Sequence, residues 1–213
     1  MITFTRLVLI SILLGLICPT FVIAQTCSYS TWSWNVELKK AVAYRTVNKA
    51  FSKLTPYELD PVTGCSVCEQ DQVMVHLPNL KPFKICKHLA NDLTKNLQAL
   101  IVKGAPIKEV IGYRVGLTRG AIDKNGNRTR FSNHSFGTAI DINPQQNGLY
   151  TNCFEFGQQC KKLRGGSWRP GVDPFSLEAN GLIVRTLKKL GMKWGGEIQG
   201  RQKDFMHFSL TGY

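Results

Sequence analysis

Acidic side chains are scarce in this chain: 14 Asp and Glu stand against 27 Lys and Arg, giving a formal charge of +13 at pH 7 over 213 residues. Histidine is scarcer, with only His76, His88, His134 and His207, so any metal site must be assembled from few parts. The H-E-x-x-H helix of thermolysin-like enzymes is missing, and so is the G-x-S-x-G elbow of serine hydrolases. No zinc-finger spacing occurs, and no platform of interleaved aromatic and basic residues, which argues against nucleic acid as a partner. Beyond residue 24 there is no apolar run of the ~20 residues needed to span a membrane. Repeats, low-complexity tracts and linkers are also lacking, and one domain is expected over residues 25–213.

Residues 1–24 read as a secretory signal peptide: Arg6, an apolar run from Leu7 to Ile17, and a small-residue boundary at Val22-Ile23-Ala24. Pro19 and Thr20 interrupt the run and disfavour a membrane anchor. Export to the periplasm or the extracellular space is therefore expected. There, a cationic surface favours anionic envelope polymers or lipid headgroups, with simple solubility as the plain alternative. Of the seven cysteines, Cys18 lies in the leader. In an oxidising compartment Cys27, Cys65, Cys68, Cys86, Cys153 and Cys160 read as disulfides. Cys153 and Cys160 bracket a short polar loop and are expected to pair, leaving the other four to pair among themselves. Cys65-x-x-Cys68 as a redox pair or half a zinc site is the weaker reading, because no second pair at metal-binding spacing follows.

Val36, Leu38, Val42, Val47, Phe51 and Leu54 recur near helical spacing and predict a helix over 34–54. Residues 73–77 read as a strand, and Ile85, Leu89, Leu93, Leu97 and Leu100 as a second helical stripe. Glu109 to Val115 is a further strand candidate, and 123–130, with Asn125-Gly126, an exposed turn. A strand begins near Gly137, with Ile140 and Ile142 on one face and Asp141 on the other, open face. Residues 144–172 read as irregular. A last helix starts at Asp173 or Ser176 and ends at Gly191, and strands near Trp194 and Phe208 complete the chain. The expected architecture is α+β, a single compact domain with an antiparallel sheet and flanking helices.

The stretch Ser132-Asn133-His134-Ser135-Phe136-Gly137-Thr138-Ala139-Ile140-Asp141 is the richest in chemistry. His134 and Asp141 can converge on one cation if the backbone bends at Gly137. Asp204-Phe205-Met206-His207-Phe208 supplies a third ligand, His207, with an acid three residues earlier. Two nitrogens and one oxygen leave a tetrahedral zinc one open position, the arrangement of a catalytic rather than a structural site. Asp204 is the expected general base, with Glu197 as the alternative. His88 followed by Asp92 matches half of the lysostaphin-type zinc signature, but the companion His-x-His is absent. His76, among strand apolars, reads as structural.

The run SNHSFGTAIDIN at 132–143, WGG at 194–196 and DFMHF at 204–208 resemble the zinc D-alanyl-D-alanine carboxypeptidase and L-alanyl-D-glutamate endopeptidase family. The motifs span about 105–213. The resemblance implies one zinc ion held by His134, Asp141 and His207, acid/base work by Asp204, a substrate contact from Ser132, and a DD-peptidase-like fold. It also implies that Arg114 stabilises the oxyanion, although Val115 stands where a hydroxyl residue usually follows. The plain alternatives are a surface strand arginine and, for Ser132, local turn bonding. The Asp at 204, where dipeptidases typically carry Glu, leans toward the endopeptidase branch. Sequons at Asn127 and Asn133 fit eukaryotic secretion poorly, because a glycan at Asn133 would crowd His134.

The function expected is a monomeric zinc peptidase acting on peptidoglycan or its peptides. The alternative is a zinc-bearing domain that binds the wall without catalysis; retention of Asp204 favours the enzyme.

Overall fold

The computed structural model describes residues 25–212, so the signal-peptide reading of 1–24 falls outside the described residues. At the N-terminus the expected helix is replaced by an antiparallel hairpin of β1 (Thr26–Asn35) and β2 (Lys40–Ala50). Side chains explain the correction. Cys27, Tyr29 and Thr31 are buried at a period of two, and Val42, Tyr44, Thr46 and Val47 suit a pleated sheet better than a helix. The Asn35 carboxamide oxygen accepts from the N–H groups of Glu37 and Leu38 and shapes the turn between the strands.

Next come β3 (Gln72–Val75) and β4 (Phe83–Cys86), an antiparallel pair, and α1 (Lys87–Val102), which buries Ala90, Leu93, Leu97 and Leu100. β3 and α1 follow the sequence reading, whereas β4 was not foreseen and takes in Ile85, which was expected to start the helix. The candidate strand at 109–115 is reduced to β5 (Val110–Ile111). Its continuation leaves the sheet, because the Tyr113 N–H donates to Lys84 O and the Arg114 N–H to His134 O. Then follow β6 (Gly116–Ile122) and β7 (Arg128–Phe131), neither foreseen, with β7 taking the last part of the segment read as an exposed turn, and β8 (Ala139–Ile142). The region read as irregular contains β9 (Leu149–Thr151) and β10 (Lys161–Arg164).

The last helix, α2 (Leu182–Lys189), begins later than expected. Buried Asn143 and Asn147 both donate to Phe175 O, and Asn147 accepts from the Leu177 N–H, so this backbone is bonded elsewhere and cannot start a helix. The chain closes with β11 (Lys193–Trp194), β12 (Gln202–Asp204) and β13 (His207–Ser209).

Among the described residues, four small sheets replace the single antiparallel one expected. Their orders are β2-β1-β6-β7, β10-β9-β12, β11-β13-β8-β5 and β3-β4. The β1–β6 pair is parallel. The main core packs Ile140, Ile142 and Phe208 of the third sheet against Leu97 and Leu100 of α1 and Val184 and Leu187 of α2. A smaller cluster of Tyr29, Val67 and Val115 lies beneath β1. All four residues of β8 are buried, so Asp141 faces a covered interior rather than an open sheet face.

Among the described residues three disulfides join Cys27 to Cys68, Cys65 to Cys86 and Cys153 to Cys160. The last pair was expected, and the remaining four do pair among themselves. Cys65 and Cys68 take separate partners, which removes the redox and metal readings of that motif. The bonds point to an oxidising, exported environment, and no described helix is long and apolar enough to cross a membrane.

Glu58 ties the hairpin to the turn that follows it. Burial opposes its charge, yet bonds from Lys49, the Tyr29 hydroxyl and Thr55 outweigh that and hold its carboxyl at about 2 instead of 4.5. A depressed folded-state value adds stability above the unfolded value and loses it on acidification. Glu58→Gln should therefore be less stable than the parent at neutral pH, and the gap should narrow as pH falls from about 4.5 to about 2, read from urea midpoints.

Candidate metal centre

Asp141 and His207 face each other directly across β8 and β13, with Ile111 of β5 on the other side of Asp141. His134 arrives from the 3-10 turn Asn133–Phe136, which stops at Gly137 with φ +65. A Cβ at Gly137 would lie 2.0 Å from Gln72 Oε1 and 2.5 Å from Cys86 N, so both the turn and its packing require glycine. The bend expected there is what folds His134 back over β8.

Three acceptor atoms converge. His134 Nε2 lies 3.0 Å from Asp141 Oδ1 and 3.2 Å from His207 Nδ1, and His207 Nδ1 lies 3.1 Å from the same carboxylate oxygen. The Nδ1–H of His134 donates to Gly112 O at 2.8 Å, which fixes the tautomer and leaves Nε2 with its lone pair directed inward. A tetrahedral zinc with bonds of 2.0–2.1 Å has ligand–ligand edges of about 3.3–3.4 Å. The observed triangle is close to one face of that tetrahedron, and no described Cys, Glu or further Asp joins the cluster. Its donor set fits zinc.

His134, Asp141 and His207 are only 2%, 4% and 7% exposed, so a charge here is stable only with a partner. Burial works against ionisation of Asp141, but His134 and His207 more than offset it and hold its carboxyl well below the usual range. Its second oxygen, Oδ2, accepts from Arg114 Nη2 at 2.9 Å. The expected arginine thus reaches the cluster through Asp141, with its side chain still partly exposed to solvent.

Asp204 ends β12, three residues before His207 opens β13, and is buried. Glu197 is placed elsewhere: both its oxygens take Lys188 Nζ, at 2.7 and 2.8 Å, on the surface. Ser132 is buried with its hydroxyl 3.2 Å from that of Ser135, within the turn that carries His134. His88 is exposed on α1, and His76 is exposed beyond β3 rather than packed inside. Asn133 is enclosed. Its amide donates to Ser209 Oγ and Gly212 O and its oxygen accepts from Arg119, so a glycan there has no room.

Gly112 was not legible as a site residue. Its carbonyl does the work, and a backbone acceptor leaves no mark on composition or spacing.

A buried His-Asp-His triangle of this geometry defines a candidate zinc centre. Residues 125–210 match the family model described as D-alanyl-D-alanine carboxypeptidase. The resemblance drawn from the motifs holds over this segment, which contains His134, Asp141, Asp204 and His207, while Arg114 precedes it. No curated protein and no solved structure matches the chain.

Zinc titration of metal-stripped protein should saturate at one ion per chain. His207→Ala or Asp141→Asn should abolish high-affinity binding, whereas His88→Ala should leave it unchanged; equilibrium dialysis with metal analysis reads all three.

Proposed function

We propose that the chain is a zinc-dependent peptidase that hydrolyses peptidoglycan peptides, of the D-alanyl-D-alanine carboxypeptidase or L-alanyl-D-glutamate endopeptidase type. The observation that carries this reading is the convergence of His134 Nε2, Asp141 Oδ1 and His207 Nδ1 within one buried triangle. These three residues would hold the ion. Zinc bound there supplies the Lewis acidity that makes water nucleophilic near neutral pH.

The chain's own groups do the rest. Asp204, buried one short turn before His207, takes the proton of the attacking water and returns it to the leaving amine. Arg114 keeps one nitrogen on Asp141 and offers its remaining N–H groups to the oxyanion that develops on the scissile carbonyl. Ser132 shapes the His134 turn and contributes a substrate contact. Asp rather than Glu at 204 favours the endopeptidase branch. The fold is read as DD-peptidase-like over 25–213, following a signal peptide at 1–24, and the protein works as a monomer in the periplasm or outside the cell. Its cationic surface suits peripheral contact with the anionic envelope.

Purified muropeptides incubated with the protein should release alanine or a dipeptide, identified by mass spectrometry, and a chelator should stop the release. Asp204→Ala should lower kcat by on the order of 10²–10⁴-fold while zinc content stays at one. Full activity in that variant would overturn the choice of base. A zinc-loaded wild type that binds peptidoglycan but cleaves nothing would favour the wall-binding alternative.

A further inference from the structure

We infer that the Cys65–Cys86 disulfide and Gln72 position the metal centre, so that the chain reaches its full zinc affinity only once this bond has formed. The inference rests on the zinc reading above and concerns how the site is held in place.

His134 is fixed by two backbone segments. Gly112 O accepts from its imidazole, and its own carbonyl accepts from the N–H groups of Arg114 and Gly137, each at 3.1 Å. Both segments rest on β4. The Tyr113 N–H donates to Lys84 O at 2.7 Å, and the Cys86 N–H donates to Gly137 O at 3.0 Å. The fit is close, since a Cβ at Gly112 would lie 2.1 Å from Lys84 O. The position of β4 is therefore transmitted to the ring of His134 through two hydrogen bonds and two glycine contacts.

β4 has four residues and pairs only with β3, and a two-stranded ribbon of that length is not stable alone. The 65–68 loop provides its anchorage. Cys65 bonds Cys86 at the end of β4, and Cys68 bonds Cys27 in β1. Gln72, opposite Cys86 in the β3–β4 register, donates through Nε2 to Ser66 O at 3.1 Å and Cys68 O at 3.3 Å, with Oε1 against Gly137. The Tyr113 hydroxyl adds a bond to Val67 O at 2.7 Å. A covalent path thus runs from the N-terminal hairpin through the loop to the strand beneath His134.

All four sulfurs belong to fully buried residues, so the bonds resist reduction once the protein has folded. The device is a lock set once, during maturation. Closing it joins Sγ to Sγ and removes two protons and two electrons from the thiols, accepted by an exchanging disulfide that becomes two thiols. A chain still in a reducing compartment would hold zinc on the order of 10- to 100-fold more weakly than the exported, oxidised protein.

The test compares zinc affinity, by competition with a chromogenic chelator, and the visible spectrum of the cobalt(II)-loaded full chain. The variants are Cys65→Ser with Cys86→Ser, Gln72→Leu, and Cys153→Ser with Cys160→Ser. The first pair should weaken zinc binding on the order of 10- to 100-fold and alter the cobalt spectrum. Gln72→Leu should do the same in direction with every disulfide intact, and it decides the matter if the first variant does not fold. The Cys153/Cys160 variant should bind as the wild type does. Wild-type affinity and spectrum in Gln72→Leu and the Cys65/Cys86 variant, or an equal loss in the Cys153/Cys160 control, overturns the positioning role. A wild type that takes up no zinc overturns the metal reading itself.

Discussion

The carboxylate of Asp141 lies between two imidazoles on one oxygen and a guanidinium on the other, inside the protein. Placing it there is the constraint that orders the rest of the molecule. An ionised carboxylate with little access to water is tolerated only if its lone pairs are met, and each group that meets them must be held in turn. His207 is held by the register of β13 against β8, His134 by the turn that Gly137 ends, and Arg114 by the segment that leaves β5 to dock on β4. Three chain segments distant in sequence thereby acquire a common centre.

The far end of β8 is secured with similar thoroughness. Asn143, at φ +47, accepts from the N–H groups of Lys108 and Glu109 and donates to Pro106 O and Phe175 O. Asn147 completes the knot through Ile142 O, Asn143 O and the Leu177 N–H. These amides satisfy backbone groups that would otherwise be buried unpaired, and they stop β8 from sliding relative to β5. A slip of one residue would turn Asp141 to the opposite face and dissolve the triangle.

Much of the site was legible because its residue types are rare and clustered. With four histidines to choose from, the pairing of His134 with Asp141 across a glycine, and of His207 with Asp204, left few other ways to build a centre. The first hairpin was misread because its apolar residues fall at mixed spacings, and only the inward alternation of Cys27, Tyr29 and Thr31 distinguishes strand from helix. β6 escaped notice because Gly116 and Gly120 interrupt its pattern. Gly116 serves to admit the ring of Trp32, and that close approach depends on a parallel partner 84 positions away in the register Trp32 to Gly116. The late start of α2 depends on asparagines some 30 residues earlier, a tertiary override that local propensity cannot express.

X-ray absorption at the zinc edge of the loaded protein tests the central claim most directly, because it reports the atoms around the ion. Two imidazole nitrogens and light oxygen neighbours at about 2.0–2.1 Å, with no sulfur in the shell, is the result the account predicts. A sulfur neighbour at about 2.3 Å, or a shell with a single imidazole, would contradict it.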